Sequence, residues 1–415
     1  MKHIYTKEQV RYLKELKDGS YTWNAITKQF NSRFSTTLTK KSLQTRWDRY
    51  KATNKEAVES EYTESELRRS LGKQNDTLKL QLQKEKIKTN QIVDACATSI
   101  AKMGFKKIRK PKGIKVKKPN LEMHLLRSDA QVGEVVQPEF TSGLGLYNFE
   151  IYKKRVDELR DKVVTFWEQD NKSLGLKKLV SPQLGDHVEG ENIYRGQPYY
   201  IDLNLVDQVF ESLFYEVHNF WTPLAERFSE LELFCVTGNH GRTGAKGEYH
   251  IKTNWDYVYY KCLKQTLEMI APHIKVFISE SPRMIVKHGD FLFEYKHGDD
   301  TNSWNGIPYY GLDRSMGRTN QMFNQIIDYT CLGHFHSPAN LNDRSMINGS
   351  LVGGSMLSIN KMGLTSVPSQ KMFYFDNKHG INRESNIYVD KPVQLNPDDN
   401  GIYTPIDNKQ IIKRK

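Results

Sequence analysis

Apolar positions in the first fifty residues recur at helical spacing and are interrupted twice by turn-forming residues. Segments 6–17, 23–34 and 40–51 each read as a short helix, separated by Asp18-Gly19-Ser20 and Ser35-Thr36-Thr37. In the third, Leu43, Trp47 and Tyr50 fall at i, i+4 and i+7 and make one apolar stripe. Between 56 and 100 the pattern is a polar helix with an irregular seam of Tyr62, Leu67, Leu71, Leu78 and Leu82. Gln74 and Gln81 stand where a strict heptad needs apolar side chains, so a short docking or dimerising helix, and with it a homo-oligomer, is expected over a long coiled coil. From Leu121 the period changes to short apolar runs alternating with long helices, the pattern of an α/β layered domain. Helices are expected at 149–170, 202–228 and 254–271. Strands are expected at 122–126, 178–183, 232–236, 275–278, 283–287, 291–295, 329–332, 345–348 and 371–375.

Charge divides the chain more sharply than hydrophobicity does. The net charge is +12 over 415 residues, a length that suits two or three domains. Residues 1–120 hold 29 lysines and arginines against 12 acidic residues, and the remainder holds 32 against 37. The first part is therefore suited to a polyanion, while the acidic excess of the second suits a site that gathers cations. In the third helix Lys40, Lys41, Gln44, Arg46 and Arg49 lie mostly off the apolar stripe, as in a helix that enters a DNA groove. The spacing of Trp23 and Trp47 resembles a Myb or SANT-type helix-turn-helix unit; a basic bundle that docks on protein is the alternative. Nine basic residues and no acidic one lie between Lys102 and Lys118, around Pro111 and Gly113, as in a solvated linker that can also follow a nucleic-acid backbone. The expected organisation is a DNA-binding module at 1–55, a polar helix and basic linker at 56–120, a catalytic domain at 121–390 and a tail at 391–415. Cys96, Cys235, Cys262 and Cys331 form no Cys-x-x-Cys pair, no run approaches the roughly 20 apolar residues of a membrane span, and the first residues lead into no apolar signal core. A cytoplasmic protein is expected.

Five polar clusters close expected strands: Ser128-Asp129-Ala130-Gln131, Gly185-Asp186-His187, Gly238-Asn239-His240-Gly241-Arg242, Lys296-His297-Gly298-Asp299 and Gly333-His334-Phe335-His336. In an α/β sheet ligands bind at the C-terminal strand ends, where loops converge on one crevice. One such cluster is usually a turn or a packing residue, whereas five in succession suggest a pair of divalent cations. Asp186 is a candidate bridging carboxylate, with Asp129, Gln131 and His336 completing one site and Asn239, His297 and His334 the other. On an extended segment, His334 and His336 would point the same way, one toward each cation. Oxygen and nitrogen donors without thiolate suit Mn²⁺ ahead of Fe²⁺, Zn²⁺ or Mg²⁺. Arg195 and Arg242 are candidate contacts to substrate phosphate, whereas His187, His250 and His288 read as structural or exposed.

The ordered set Asp129-x-Gln131, Gly185-Asp186, Gly238-Asn239-His240, His297 and Gly333-His334-x-His336 resembles the calcineurin-like metallophosphoesterase superfamily, over about 121–350. Further runs, Asn254-Trp255-Asp256, Ile307-Pro308-Tyr309-Tyr310-Gly311-Leu312-Asp313 and Asn348-Gly349-Ser350-Leu351, resemble phosphoesterases of bacteriophage genomes described as DNA-repair exonucleases. The resemblance implies a four-layer αββα sandwich, here preceded by the small all-α module and helical linker. It also implies seven metal ligands at Asp129, Gln131, Asp186, Asn239, His297, His334 and His336, with a metal-bridging hydroxide as nucleophile. His240 would then be the acid that protonates the leaving oxygen. Two positions depart from the family pattern. Gln131 stands where histidine is usual, and Gly241 stands where a carboxylate that orients the imidazole is often found. The expected activity is a metal-dependent phosphodiesterase acting on DNA. The alternatives are a phosphatase or small-nucleotide phosphodiesterase, and a DNA-binding regulatory or assembly protein with a degenerate domain.

Overall fold

The structure is a computed structural model that describes residues 6–58, 64–102, 105, 107–112, 121–141, 143–248, 250–304 and 308–391. Residues 113–120 of the expected linker, Ile307 of the Ile307-to-Asp313 run and the tail from 392 onward lie outside the described residues. The chain divides into two compact units, 1–81 and 82–415.

In the first unit α1 (Lys7–Asp18), α2 (Trp23–Phe34) and α3 (Lys40–Val58) follow the apolar pattern. Thr6 starts α1 with a capping box shared with Gln9, and Thr22 caps α2 through the Ala25 amide, so both starts are written locally in the chain. Leu13, Leu16, Ile26, Phe30 and Leu43 are buried, and Trp23 and Trp47 pack against them. Tyr50 continues the α3 stripe by stacking on Trp47 at 5.4 Å. A fourth helix, α4 (Glu64–Lys102), runs for 39 residues.

The second unit is mixed α/β with two sheets. Its elements are β1 (Glu122–Leu125), α5 (Phe149–Leu174), β2 (Lys178–Gln183), α6 (Leu205–Glu216), α7 (Thr222–Ala225), β3 (Glu230–Cys235), α8 (Trp255–Ile270), β4 (Ile274–Ile278), β5 (Arg283–His288), β6 (Phe291–Lys296), α9 (Tyr309–Phe323), β7 (Tyr329–Leu332), β8 (Ala339–Leu341), β9 (Ser345–Ile347), β10 (Ser369–Asp376) and β11 (Gly380–Tyr388). The first sheet has the order β11-β10-β1-β2-β3-β4, with β1 to β4 parallel; the second has the order β5-β6-β7-β9-β8, with β6, β7 and β9 parallel. Alternation along β3 shows how the layers form. Leu231, Leu233 and Cys235 enter a core shared with Tyr152, Val156, Leu213, Tyr259 and Leu263 of the helices, while Phe234 faces Phe293, Tyr295 and Cys331 of the second sheet. On the far side of that sheet, Leu312 of α9 packs on Leu332 and Ile347. Each fully buried Val, Leu or Phe here contributes roughly 1.5 to 3 kcal/mol.

Three departures from the sequence pattern have physical causes. The helix expected at 202–228 breaks into α6, a π-turn at Val217–Trp221 and α7, because Pro223 has no amide to continue the α-helical ladder. Helix α9 was not expected, since only Leu312 and Thr319 of its fifteen residues are buried and Gly311 and Gly317 interrupt it. Edge strand β11 was also missed: only Gly380 and Ile387 are buried, so it lacks a regular apolar alternation. Within the basic stretch expected to be a linker, Ile108 is buried and its amide donates to the Ile270 carbonyl at 2.7 Å. Among the described residues no helix is long and apolar enough to cross a membrane.

Candidate metal centre

Parallel strands bring their C-terminal ends to one edge, and the five polar clusters leave from those ends. Asp129 follows β1, Asp186 follows β2, Asn239 follows β3, His297 follows β6 directly, and His334 and His336 follow β7. Asp186 Oδ2 lies 2.9 Å from His297 Nε2, which is 3.1 Å from Asn239 Oδ1 and 3.2 Å from His334 Nδ1. His297 Nδ1 is 2.8 Å from the Leu184 carbonyl, which can only accept, so that nitrogen carries a proton, and His297 in its neutral form turns a lone pair on Nε2 toward the other three atoms. Four lone-pair atoms thus converge. Asp186 Oδ2 is buried and has no hydrogen-bond donor, which fits the His297 tautomer and a cation among these atoms.

The charge states agree with that demand for positive charge. While no cation is bound, a proton on His297 Nε2 takes its place: burial would lower the His297 pKa, but the Asp186 carboxylate, helped by Asp129 and Asp299, holds it up at about 10. Burial and the His297 charge push His334 down to about 4. Asp186 is held well below the usual carboxylate range, since His297 and His240 outweigh its burial. Beside this cluster, Asp129 accepts the His334 amide on both oxygens at 3.1 Å, and its Oδ1 is 3.5 Å from His336 Nε2.

Asp129, Gln131, Asp186, His334 and His336 all have left-handed backbone, with φ between 41° and 70°. For residues other than glycine this conformation costs on the order of 1 to 3 kcal/mol each. Its concentration on five of the seven candidate ligands is the mark of a site that uses strain to aim side chains. It also corrects one expectation. The His334-x-His336 segment is a bend, not an extended strand, so two left-handed residues and not the pleat direct the imidazoles to Asp186 and Asp129.

His240 is placed by its amide, which donates to Asp186 Oδ1 at 2.8 Å, and by Nδ1, which is 2.8 Å from Glu189 Oε2. Burial opposes protonation, but Glu189 and then Asp186 raise the His240 pKa well above the ordinary histidine value. Glu189 is fully buried and is itself held by Tyr194 Oη at 2.8 Å and Gln197 Nε2 at 2.7 Å. The carboxylate that seemed lacking at Gly241 is therefore supplied from three residues after Asp186. A side chain at 241 would collide with Asn254 Oδ1 and the Asp256 amide, which is why glycine stands there. Gln131 lies against His240, Nε2 to Nε2 at 3.2 Å, and its Oε1 is buried without a donor. With His240 protonated two donors cannot share that contact, so the amide turns Oε1 to the His240 Nε2 proton, and the second lone pair of that oxygen is left for a cation.

Other residues hold this arrangement. Asp256, fully buried, accepts the backbone amides of Asp186, His187, Val188 and Gly238, pinning the second and third clusters together. A Cβ at Gly238 would overlap the Asp186 carboxylate, so the two loops meet only with glycine there. The Asp129 carbonyl accepts from Ser350 Oγ and the Leu351 amide, which gives the Asn348-Gly349-Ser350-Leu351 run its place. The signal for Glu189 was legible as Gly185-Asp186-His187-Val188-Glu189-Gly190, but spacing alone did not say which imidazole it meets. Arg242 donates from Nε to the Asn239 carbonyl at 2.9 Å and keeps Nη1 buried without a partner, whereas Arg195 is exposed on the loop after the second cluster. In the first unit Lys40, Lys41 and Arg49 are exposed on α3, and Gln44 and Arg46 are half-buried.

No family model matches the chain, and no curated protein matches it. Among solved structures, Vps29 of Chaetomium thermophilum is 14% identical, covering 37% of this chain and 79% of that one with a TM-score of 0.20. A protein of unknown function from Aquifex aeolicus is 13% identical over 53% of this chain and 82% of that one, TM-score 0.23. The sulfate thiohydrolase SoxB of Thermus thermophilus, in complex with glycerol, is 8% identical over 66% of this chain and 58% of that one, TM-score 0.29.

Proposed function

We propose that the second unit is a metal-dependent phosphodiesterase of the calcineurin-like type and that its substrate is DNA. The observation that carries this reading is the meeting of Asp186, Asn239, His297 and His334 lone pairs beside a His240–Glu189 pair. Two divalent cations, Mn²⁺ first among them, would be held by Asp129, Gln131 and His336 on one side and Asn239, His297 and His334 on the other, with Asp186 between. Bound there, they supply the positive charge that draws in a phosphate and eases deprotonation of water.

The chain's own groups account for the rest. Glu189 fixes the His240 ring and favours its protonated form, and Asp186 anchors its backbone. His240 is then an acid whose Nε2 proton goes to the leaving oxygen. Arg242 Nη1, buried and unpartnered, is available to a phosphate oxygen as a charge-assisted donor. The nucleic-acid substrate is supported by the basic surplus of residues 1–120 and by Lys40 and Lys41 exposed on α3.

Purified full-length protein with Mn²⁺, assayed on labelled single- and double-stranded DNA and on a chromogenic diester, tests the reading. Hydrolysis of both, lost in Asp186→Asn, is expected. Cleavage of the small diester alone would move the substrate to a small nucleotide or phosphomonoester. DNA binding without any hydrolysis would make the second unit a scaffold.

A further inference from the structure

At the opposite end of the strands from Asp186, the two sheets enclose a second group of metal-type donors. Glu122 and His124 are two residues apart on β1 and so share the face that looks at the second sheet; His288 ends β5 and pairs with Phe291 at the start of β6. His124 is fully buried and His288 is 4% exposed. One ligand atom from each of Glu122, His124 and His288 lies within 4.8 Å of the others. His124 Nε2 is 3.3 Å from Glu122 Oε2, and His124 Nδ1 is buried with no partner. The His124 ring is stacked on Phe373 at 4.7 Å and on Phe293 at 5.8 Å, and it meets His288 edge-on at 5.1 Å, so it cannot swing out to find water.

An ion pair alone does not account for this group. Lys178 Nζ reaches Glu122 Oε1 at 3.3 Å and Glu232 Oε2 at 3.0 Å, so one ammonium is shared by two carboxylates, and Glu122 Oε1 also accepts from Asn377 Nδ2 at 3.3 Å. His288 Nε2 is 2.9 Å from Tyr295 Oη, which orients that imidazole as an outer hydrogen bond orients a metal-ligating histidine. Glu122 Oε2, facing His124, lies away from the Lys178 contact.

We propose that Glu122, His124 and His288 form a structural site for one Zn²⁺ ion that ties β1 of the first sheet to β5 of the second. Two imidazole nitrogens and one carboxylate oxygen are a zinc donor set, completed to four by water. Tetrahedral ligands about 2.1 Å from zinc stand about 3.4 Å from one another, so the group closes on the ion with roughly 1 Å of side-chain movement. The site is separate from the Asp186 cluster: Glu122 opens β1 at its N-terminal end, whereas Asp129 lies beyond the C-terminal end of that strand. It also does not depend on the phosphodiesterase reading.

The test uses full-length protein stripped with a chelator and resupplied with Zn²⁺. Wild type is expected to retain one more equivalent per chain than His288→Gln and to melt at higher temperature with Zn²⁺ than without, a rise that His288→Gln loses while its hydrolysis of a chromogenic diester is unchanged. Equal zinc content in wild type and folded His288→Gln would overturn the proposal. Anomalous diffraction at the zinc edge from wild-type crystals decides the matter whether or not the variant folds. A peak bonded to Glu122, His124 and His288 supports the site, and peaks confined to the Asp186 end overturn it.

Discussion

Glu216 and Asp186 are both fully or almost fully buried carboxylates in the second unit, and their surroundings are opposite in kind. Glu216 meets only donors. Arg127 Nη1 reaches it at 2.7 Å, Arg127 Nη2 at 2.5 Å, Tyr152 Oη at 2.6 Å, Tyr259 Oη at 2.9 Å and Trp221 Nε1 at 3.2 Å, and the guanidinium also lies over Phe220 at 4.4 Å. Asp186 has one oxygen on the His240 amide and turns the other toward an imidazole, an amide oxygen and a second imidazole. A buried charge that serves stability brings its own counter-charge and donors. Asp186 finds positive charge only on the imidazoles of His297 and His240, which give it up when they lose a proton, so a cation among these atoms can take over that role.

The largest expected effect falls on the second kind of carboxylate. Asp186→Asn keeps the shape and removes the charge, so bound metal and turnover should be lost while the melting temperature stays near that of wild type; full metal content and rate in that variant would equate Asp186 with Glu216 and end the contrast. His240→Ala should retain metal and lose roughly 10² to 10⁴ in rate, with a smaller loss on a nitrophenolate leaving group. Equal losses on good and poor leaving groups would remove the acid role.

Glu216→Gln is the converse experiment. It leaves Arg127 buried without its counter-charge, so stability should drop by roughly 3 to 5 kcal/mol in a denaturant titration, with the metal content of the folded fraction unchanged. The sign with pH follows from Glu216: burial raises its pKa, Arg127 lowers it more, and the net value is about 2. A carboxylate depressed in the folded state stabilises above its ordinary pKa and ceases to as pH falls through the depressed value. The advantage of wild type over Glu216→Gln should therefore be full at neutral pH and shrink between about pH 4.5 and pH 2. A constant difference across that range would show that the pair is not the source.

Glu189→Gln has a smaller expected effect, about 10- to 100-fold in rate, because Glu189 acts through His240. With that negative charge gone His240 loses its proton more easily, so the fall of activity at high pH should move to lower pH; an unmoved profile would make Glu189 a packing residue only. The smallest effect concerns the first unit. Changing Lys40 and Lys41 together to Ala should reduce the slope of log K against log salt for DNA by about 0.7 to 0.9 per lost phosphate contact, leaving hydrolysis of a small diester unchanged. An unchanged slope would favour a protein partner for α3.

Much of the frame was open to a reading of local pattern. The expected strands at 178–183 and 329–332 coincide with β2 and β7, and the caps at Thr6 and Thr22 lie where helices were expected to begin. Such features are legible because burial imposes a period on a few consecutive residues. Edge elements escape the same logic: β11 and α9 bury few side chains, so their sequences carry little period.

The sequence by itself determined that Asp129, Asp186, Asn239, His297, His334 and His336 stand after strands, and that the basic charge sits at one end of the chain. Only the tertiary structure decided that Glu189 meets His240 and Asp256 gathers four amides, that five candidate ligands are left-handed, and that Glu122 and His124 face His288. Period and composition are properties of neighbouring residues. A carboxylate's partner is set by contacts between distant segments, and an acidic residue reads the same in sequence whether an arginine or a set of lone pairs waits across the fold.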